Sequence, residues 1–224
     1  METIKDIFGW MAVIFTISFA APQLIKTIKE KSGKEVRLIN FFIFLAGLAL
    51  WGFYGAFFTI KVIQLIIANV LSFIILSITI SLFLKNKNSK FLPQFIFLII
   101  IANLTIIVAS SLAFANNLIA PNWLLRSLGF IAPTFTSFAF APLTFQAIKT
   151  RKIEGVSIIT LVIGFLINFT WEVFWIIEAI NSSLFTNADT LYILIVQLLA
   201  MIIYTIQIII YIQEKNKKNT KKHH

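Results

Sequence analysis

Seven apolar runs, each long enough to cross a bilayer, constrain this chain more than any other feature of its sequence. A helix needs about 20 consecutive apolar residues to span the hydrocarbon core. Only 12% of the residues are charged, against about 25% in ordinary soluble domains. The sequence therefore predicts an all-α, multi-pass membrane protein. The predicted spans cover residues 7–27, 38–58, 62–84, 91–113, 124–147, 157–179 and 190–212.

The basic residues lie in short clusters between the apolar runs, and their distribution predicts the orientation of the chain. Of the 19 Lys and Arg residues, 16 lie at the ends of the first, third, fifth and seventh spans, and three lie on the opposite face. Basic residues accumulate on the cytoplasmic side of membrane proteins. We therefore expect the N-terminus outside and the C-terminus in the cytoplasm, in the cell membrane. The net charge of +10 then reflects topology and contact with lipid headgroups rather than nucleic-acid binding.

The second half of the sequence repeats features of the first half after a shift of 120 residues. Three helices end on the face opposite to their start, so two copies in the same orientation need one extra crossing between them. We therefore predict two parallel three-helix repeats, residues 1–86 and 121–214, joined by a linker helix within 87–120 and followed by a basic tail, 215–224. The coinciding residues include Pro22 with Pro142, Trp51 with Trp171 and, after allowance for a second-copy loop that is longer by about eight residues, Asn69 with Gln197.

The segments around the repeated prolines resemble those of a known family. Pro22 is followed by Gln23 and a basic loop, and residues 149–157 of the second copy read KTRKIEGVS. With a Trp and then an amide in each copy, this pattern is similar to the PQ-loop superfamily, and specifically to its SWEET sugar transporters. The resemblance implies seven helices in a 3+1+3 order and transport by alternating access. The sequence departs from SWEETs at three points: Leu143 replaces the second Gln, Gln197 stands where Asn is typical, and spans two and six lack proline.

Four of the repeated residues are predicted to lie at one depth in the membrane. Trp51 lies 13 residues into its span, about 20 Å from one face, and Asn69 lies seven residues into the next span, about 10 Å from the other. In a core of roughly 30 Å these depths coincide, and Trp171 and Gln197 repeat them. We therefore predict a substrate-binding pocket in which indoles pack on a sugar ring and amides bind its hydroxyls. The alternatives are a membrane-interface anchor for each Trp and interhelical hydrogen bonding for each amide.

Glu172 is an ionisable residue deep within an apolar run, where such residues are costly and usually functional. Its counterpart in the first repeat is Gly52. Asn168 lies one turn away on the same face, and we count it among the substrate-binding residues. One interpretation is that Glu172 couples transport to protons, and the other is a neutral carboxyl that hydrogen-bonds to Asn168 or to a helix neighbour. Glu178, nearer the outer end of the same span, is expected to be solvated.

The repeated prolines lie in the inner third of the first helix of each repeat, just before a basic loop. Proline removes a backbone hydrogen-bond donor and weakens the preceding turn. We predict that Pro22, Gln23 and Pro142 form a pair of hinges that let the cytoplasmic ends of these helices part and rejoin. The alternative is a static kink that only shapes packing.

These features favour a transporter that moves a small neutral solute, a mono- or disaccharide, by facilitated diffusion. A proton-coupled carrier of an amino acid, similar to the lysosomal cystine exporters of the same superfamily, is the first alternative, and a non-transporting membrane receptor is the second. The sequence has no catalytic triad or phosphate-binding loop, and its two His residues are the terminal pair His223-His224. We therefore expect no enzymatic activity, no cofactor and no metal. The expected partners are the solute, the lipid bilayer and, left open, a second copy of the chain.

Overall fold

The computed structural model describes residues 1–30, 38–58, 60–153 and 156–220, which form nine α-helices and one short 3-10 helix. The prediction of an all-α fold is confirmed. In chain order the helices are α1 (Glu2–Phe19), α2 (Ala21–Glu30), α3 (Leu38–Phe57), α4 (Ile63–Asn86), α5 (Leu92–Ala115), α6 (Asn122–Phe138), α7 (Ala141–Thr150), α8 (Ile158–Asn181) and α9 (Ala188–Thr220), with the 3-10 turn at Leu184–Thr186.

Each predicted span corresponds to one helix or to two consecutive helices. Six helical segments of the described residues are long and apolar enough to cross a membrane, among them α6 and α7 taken together. The first crossing, formed by α1 and α2, is not among these six. Its α1 carries three charged residues, Glu2, Lys5 and Asp6, in its first two turns. The chain is an integral multi-pass membrane protein, and we call the membrane face on which it begins the N-face and the other the C-face.

Two helices are broken at repeat-related places. The helix of the first predicted span breaks at Ala20, between α1 and α2. The helix of the fifth predicted span breaks at Ala139 and Phe140, between α6 and α7. Each break lies immediately before the turn that holds Pro22 or Pro142. Proline clashes with the preceding turn of a helix but fits the first turn of a new one, where its missing N–H is not needed. At the predicted kinks the helix is interrupted for one or two residues, while Ala20 and Ala139 keep right-handed helical dihedral angles. The side chain of Gln23 lies outside the described part of the structure.

The helices of the two halves pack in the same pattern. In the first half α4 lies against both α1 and α3, and in the second half α9 lies against both α6 and α8. Between the halves, α1 packs on α8 and α3 packs on α6. Among the described helices, α5 contacts only α3 and α4, so it lies on the outside of the first half. Helices α1, α3, α4, α6, α8 and α9 therefore surround the centre of the molecule.

Repeat-related glycines bring the two halves close together. A Cβ atom on Gly9 of α1 would lie 3.1 Å from the ring of Phe174 in α8, and one on Gly129 of α6 would lie 3.4 Å from the ring of Tyr54 in α3. In a membrane, helices associate largely through van der Waals packing, which small residues improve by letting backbones approach. The two glycines thus place helices from opposite halves on either side of a common centre.

Candidate functional site

A cavity of about 50 Å³ lies between the two halves of the molecule. Helices α1, α3 and α4 form one side of it, and α6, α8 and α9 form the other. None of the described residues that line it is Asp, Glu, Lys, Arg or His. The lining residues are Thr16, Phe19, Phe44, Leu48, Trp51, Leu65, Asn69, Thr136, Ser137, Gly164, Ile167, Asn168, Trp171, Trp175, Gln197 and Tyr204.

All five residues predicted to bind substrate lie around this one cavity. They are Trp51, Asn69, Asn168, Trp171 and Gln197. Each is buried or half-buried inside the bundle, so neither Trp lies on the lipid-facing surface as an interface anchor would. The structure thus brings the predicted set together, and ligand binding by these residues stays a prediction.

The two repeat-related indoles make reciprocal hydrogen bonds across the halves. Trp51 donates its Nε1–H to Oγ1 of Thr136 at 3.1 Å, and Trp171 donates its Nε1–H to Oγ1 of Thr16 at 3.2 Å. The two threonines are themselves 120 residues apart, so both partners of each bond obey the repeat. The sequence reasoning missed Thr16 and Thr136, although the same shift that matched the indoles would have found them.

The amides of the cavity use their N–H groups locally. Asn69 donates to the carbonyl of Leu65, and Asn168 donates to the carbonyl of Gly164, both at 2.8 Å and both within one helix. These two bonds therefore do not link helices, unlike the alternative interpretation of the amides. Each amide keeps its carbonyl oxygen and a second N–H. The Oε1 atom of Gln197 is buried without a hydrogen-bond partner among the described residues.

An aromatic cluster, the N-face cluster, flanks the cavity on the N-face side. Trp51 and Trp175 stack with ring centroids 6.3 Å apart, and Tyr54 lies 5.6 Å from Trp51 and 4.9 Å from Phe58. Phe174 completes the cluster at 5.5 Å from Trp175. Since these rings come from α3 and α8 and from the residue just after α3, the cluster joins the two halves of the molecule.

A second aromatic cluster, the C-face cluster, flanks the cavity on the opposite side. Phe19 lies 5.1 Å from Phe44, 5.6 Å from Phe140 and 6.4 Å from Tyr204, measured between ring centroids. Phe41 packs on Phe140 at 5.6 Å. Phe19 directly precedes the break between α1 and α2, and Phe140 lies in the break between α6 and α7. The predicted hinges therefore adjoin the rings that flank the cavity.

Polar contacts also join the halves at the N-face. Lys5 of α1 forms an ion pair with Glu178 of α8 at 2.9 Å. The hydroxyl of Tyr54 donates a hydrogen bond to Oδ2 of Asp189 in α9 at 3.4 Å. The expectation that Glu178 is solvated is wrong: its side chain is only 2% exposed, and Ser182 donates a second hydrogen bond to it. A buried carboxylate needs such partners, because an unpaired buried charge is strongly destabilising.

Glu172 lies apart from the cavity-lining set. The residue is 6% exposed, and its Oε2 atom has no hydrogen-bond partner among the described residues. Asn168, the partner that the neutral-carboxyl interpretation names first, donates to Gly164 instead. The equivalent residue in the first half is Gly52, which faces Ile106 of α5. In the described chain, the second half has no helix packed against it in the way that α5 packs against the first half.

The break near Pro142 has a polar partner from another helix. Gln207 of α9 is fully buried and donates its Nε2–H to the carbonyl of Phe140, at 3.4 Å, and to the hydroxyl of Thr144. Its repeat-related position in the first half is Thr79, which hydrogen-bonds to the carbonyl of Ile75 in its own helix. The sequence reasoning missed Gln207, because nothing local relates it to a residue 63 positions away.

A family model, a curated relative and a solved structure are similar to this chain. Residues 4–64 match the family model of the PQ loop repeat. Over 64 residues the chain is 33% identical to the sugar transporter SemiSWEET of Escherichia coli (strain UMEA 3162-1), an alignment that covers 29% of this chain and 72% of the relative. The fold is similar to a solved structure of a eukaryotic SWEET transporter, with a TM-score of 0.68 and 14% sequence identity over 96% of this chain and 98% of the other. The family match falls in the first half, and the structural similarity extends over the whole bundle.

Proposed function

The chain belongs to the PQ-loop family of SWEET-like membrane proteins, and from that premise we propose that it transports a neutral sugar, a mono- or disaccharide, by alternating access. The observation that carries the proposal is the uncharged cavity between the halves, where two repeat-related indoles and three amides meet. Since none of its described lining residues bears a charge that could couple transport to an ion gradient, we propose facilitated diffusion. No cofactor is part of this proposal.

The chemistry of the cavity suits a polyhydroxylated solute. Indole faces pack against the C–H groups of a sugar ring, and amides both donate to and accept from hydroxyl groups. A charged solute would lose its hydration there without a compensating charge, which is costly in a low-dielectric site. The lining therefore favours a neutral sugar over a charged amino acid.

The flanking aromatic clusters support alternating access. Pockets that hold drug-sized ligands have volumes of roughly 300–1,000 Å³, whereas the cavity has about 50 Å³. A sugar would therefore enter only when one cluster parts and the cavity expands. Because each cluster joins the two halves, movement of one half against the other would open one face while the other stays closed. Pro22 and Pro142, with Gln23, would act as the hinges for the C-face.

The packing supports the 3+1+3 organisation that the repeat predicts. We propose that residues 1–86 and 121–214 form the two three-helix repeats, that 87–120 contains the linker helix, and that 215–224 form a basic tail. The equivalent contacts of α4 in the first half and α9 in the second, together with the peripheral place of α5, support this division. The excess of basic residues at the C-face supports a cytoplasmic C-terminus, an external N-terminus and a place in the cell membrane.

The proposal is tested by counterflow of labelled solutes into proteoliposomes, with sugars compared against amino acids and with and without a pH gradient. We expect sugar exchange that Asn69→Ala and Trp171→Ala abolish, while both variants express and unfold thermally much as the wild type does. Normal transport by both variants would contradict the assignment of the cavity. Parallel loss of transport and stability would favour a purely structural role for the two residues, and no uptake of any solute would favour the receptor.

A proton-coupled carrier is the second candidate, and one observation favours it. The buried carboxyl of Glu172 has an oxygen without a partner among the described residues, which is unusual for a purely structural group. An intramembrane carboxyl of this kind is a common element of proton relays. Accumulation of solute under an imposed pH gradient would decide for this candidate.

A further inference from the structure

Three indoles line the central cavity, and only one of them keeps an unused hydrogen-bond donor. Trp51 and Trp171 donate to Thr136 and Thr16. Trp175 lines the same cavity and is fully buried, yet its Nε1–H has no partner among the described residues. A buried donor without a partner costs free energy, and buried indoles usually find one. Packing alone would be served better by an apolar ring at this position.

The unpaired indole exists in only one half of the molecule. The repeat-related position of Trp175 is Gly55, where α3 approaches α4 so closely that a Cβ atom would lie 3.1 Å from Leu65. A side chain at Gly55 would therefore require Leu65 to shift. The third indole makes the cavity asymmetric on its N-face side, whereas Trp51 with Trp171 and Asn69 with Gln197 follow the repeat.

The unpaired donor has an unpaired acceptor beside the same cavity. Gln197 also lines it, and its Oε1 atom is buried without a partner in the described structure. One free N–H and one free carbonyl oxygen are both satisfied by hydroxyl groups, because a hydroxyl donates one hydrogen bond and accepts others. No described lining residue supplies a charge for an ionic ligand, so hydroxyls of a neutral ligand match this pair best.

Resting on the sugar transport proposed above, we propose that Trp175 is a specificity-determining residue that donates its Nε1–H to one hydroxyl oxygen of the sugar. The bond forms when the N-face cluster parts and the cavity expands around the ligand, while the carbonyl of Gln197 accepts from a sugar hydroxyl. The sugar then sits closer to the second half than to the first, and the hydroxyl that faces Trp175 is the one by which the protein distinguishes sugars.

The test measures equilibrium binding of radiolabelled D-glucose and sucrose to the purified full-length protein, followed by the 2-, 3-, 4- and 6-deoxy analogues of glucose. We expect Trp175→Phe to raise the Kd for the parent sugar about three- to tenfold, as the loss of one hydrogen bond does. For one deoxy analogue the wild type and Trp175→Phe should bind equally, because that analogue lacks the hydroxyl that accepts the bond. Trp123→Phe is the matched control, since Trp123 is 69% exposed at the start of α6.

A second variant removes the donor without changing the shape of the side chain. Replacement of Trp175 by 3-benzothienylalanine, in which sulfur takes the place of the indole N–H, should reproduce the analogue pattern of Trp175→Phe even if the Phe variant unfolds. Equal Kd values for wild type and isostere, or a uniform loss over all analogues, would overturn the role of Trp175. If neither sugar binds to the wild type or exchanges in proteoliposomes, the sugar function itself is overturned, and this assignment with it.

Discussion

At the scale of single residues, the two repeat-related indoles are each held by a threonine from the other half of the molecule. Each bond fixes the orientation of a ring whose face we propose to pack on the sugar, and each ties one repeat to the other beside the cavity. Since both threonines also hydrogen-bond to a carbonyl of their own helix, their hydroxyls are held in place for the indole.

We expect Thr16→Val and Thr136→Val to weaken sugar binding by about three- to tenfold each and to destabilise the protein by about 1 kcal/mol, the net contribution of one hydrogen bond. Thr205→Val is the control, because Thr205 is exposed on α9 and its hydroxyl donates to the carbonyl of Met201 in its own helix. Equilibrium binding and thermal unfolding measure the two effects. The repeat predicts similar losses for both variants, and values equal to those of Thr205→Val would contradict the role of the bonds.

The sequence could predict that the site residues converge, because the repeat and the rise per residue of a helix together fix the depth of each residue in the membrane. Trp51, Asn69 and their counterparts had to meet near one level once the spans were placed. Trp175 was not predictable, since it has no counterpart in the first repeat and an extra Trp in an apolar span resembles any core residue. The local bonds of Asn69 and Asn168 were likewise hidden, because they depend on rotamers rather than on spacing.

At the scale of helices, the breaks in the first and fifth crossings coincide with the C-face cluster. Phe19 is the last residue of α1 and Phe140 lies between α6 and α7, and their ring centroids are 5.6 Å apart. Rings that flank the cavity therefore adjoin the two points about which α2 and α7 would tilt. A hinge acts on the rate at which open and closed states interconvert. The segments predicted to move are therefore α2 and α7, which have 10 residues each.

We expect Pro22→Ala and Pro142→Ala each to slow sugar exchange more than they weaken equilibrium binding. Alanine restores a backbone N–H and favours a continuous helix, so the break becomes stiffer while the cavity lining stays unchanged. Counterflow rates are compared with Kd values for the same variants, and Pro93→Ala, in the first turn of α5, is the control. Unchanged exchange rates in both variants would leave only a static kink.

Gln207 offers a second test of the C-face break, because its amide holds both Phe140 and Thr144. We expect Gln207→Met to release the break and open the C-face more often. The chain has no cysteine, so a single Ser137→Cys probe in the cavity can report access by a membrane-impermeant thiol reagent. Labelling from the C-face should become faster in Gln207→Met than in the control Gln213→Met, which changes an exposed residue of α9. Equal rates would show that the contact does not restrain the break.

Helix positions followed from apolar length and helix breaks followed from proline, so both were predictable to within a few residues. The contact of Gln207 with the break was not, because it joins residues more than 60 positions apart and depends on how α9 packs on α7. The basic loop residues 31–37 and the end of the tail, 221–224, lie outside the described residues. The orientation predicted from the basic residues stays a prediction.

At the scale of the whole molecule, the N-face is held together by residues from the two halves. The ion pair of Lys5 with Glu178 joins positions 173 apart, and Asn181 adds a hydrogen bond to Glu2 at 2.8 Å. From the sequence alone, the position of Glu178 near the end of a span predicts a solvated side chain. The packing of α1 on α8 decides its burial instead, and this packing is a property of the assembled halves.

At the scale of the whole molecule, the role of Glu172 decides whether the protein moves sugar only down its concentration gradient or accumulates it with protons. A coupling group must gain and lose a proton in each cycle and must sense which face is open, yet Glu172 does not line the cavity that we propose to alternate. We therefore expect no accumulation of sugar by the wild type under an imposed pH gradient, and the same behaviour from Glu172→Gln, which mimics the protonated carboxyl. Uptake into proteoliposomes with acid outside, compared with counterflow at equal pH, measures both. If the wild type accumulates solute against its gradient, and Glu172→Gln loses accumulation while it keeps exchange, the protein is a proton-coupled carrier and facilitated diffusion is wrong.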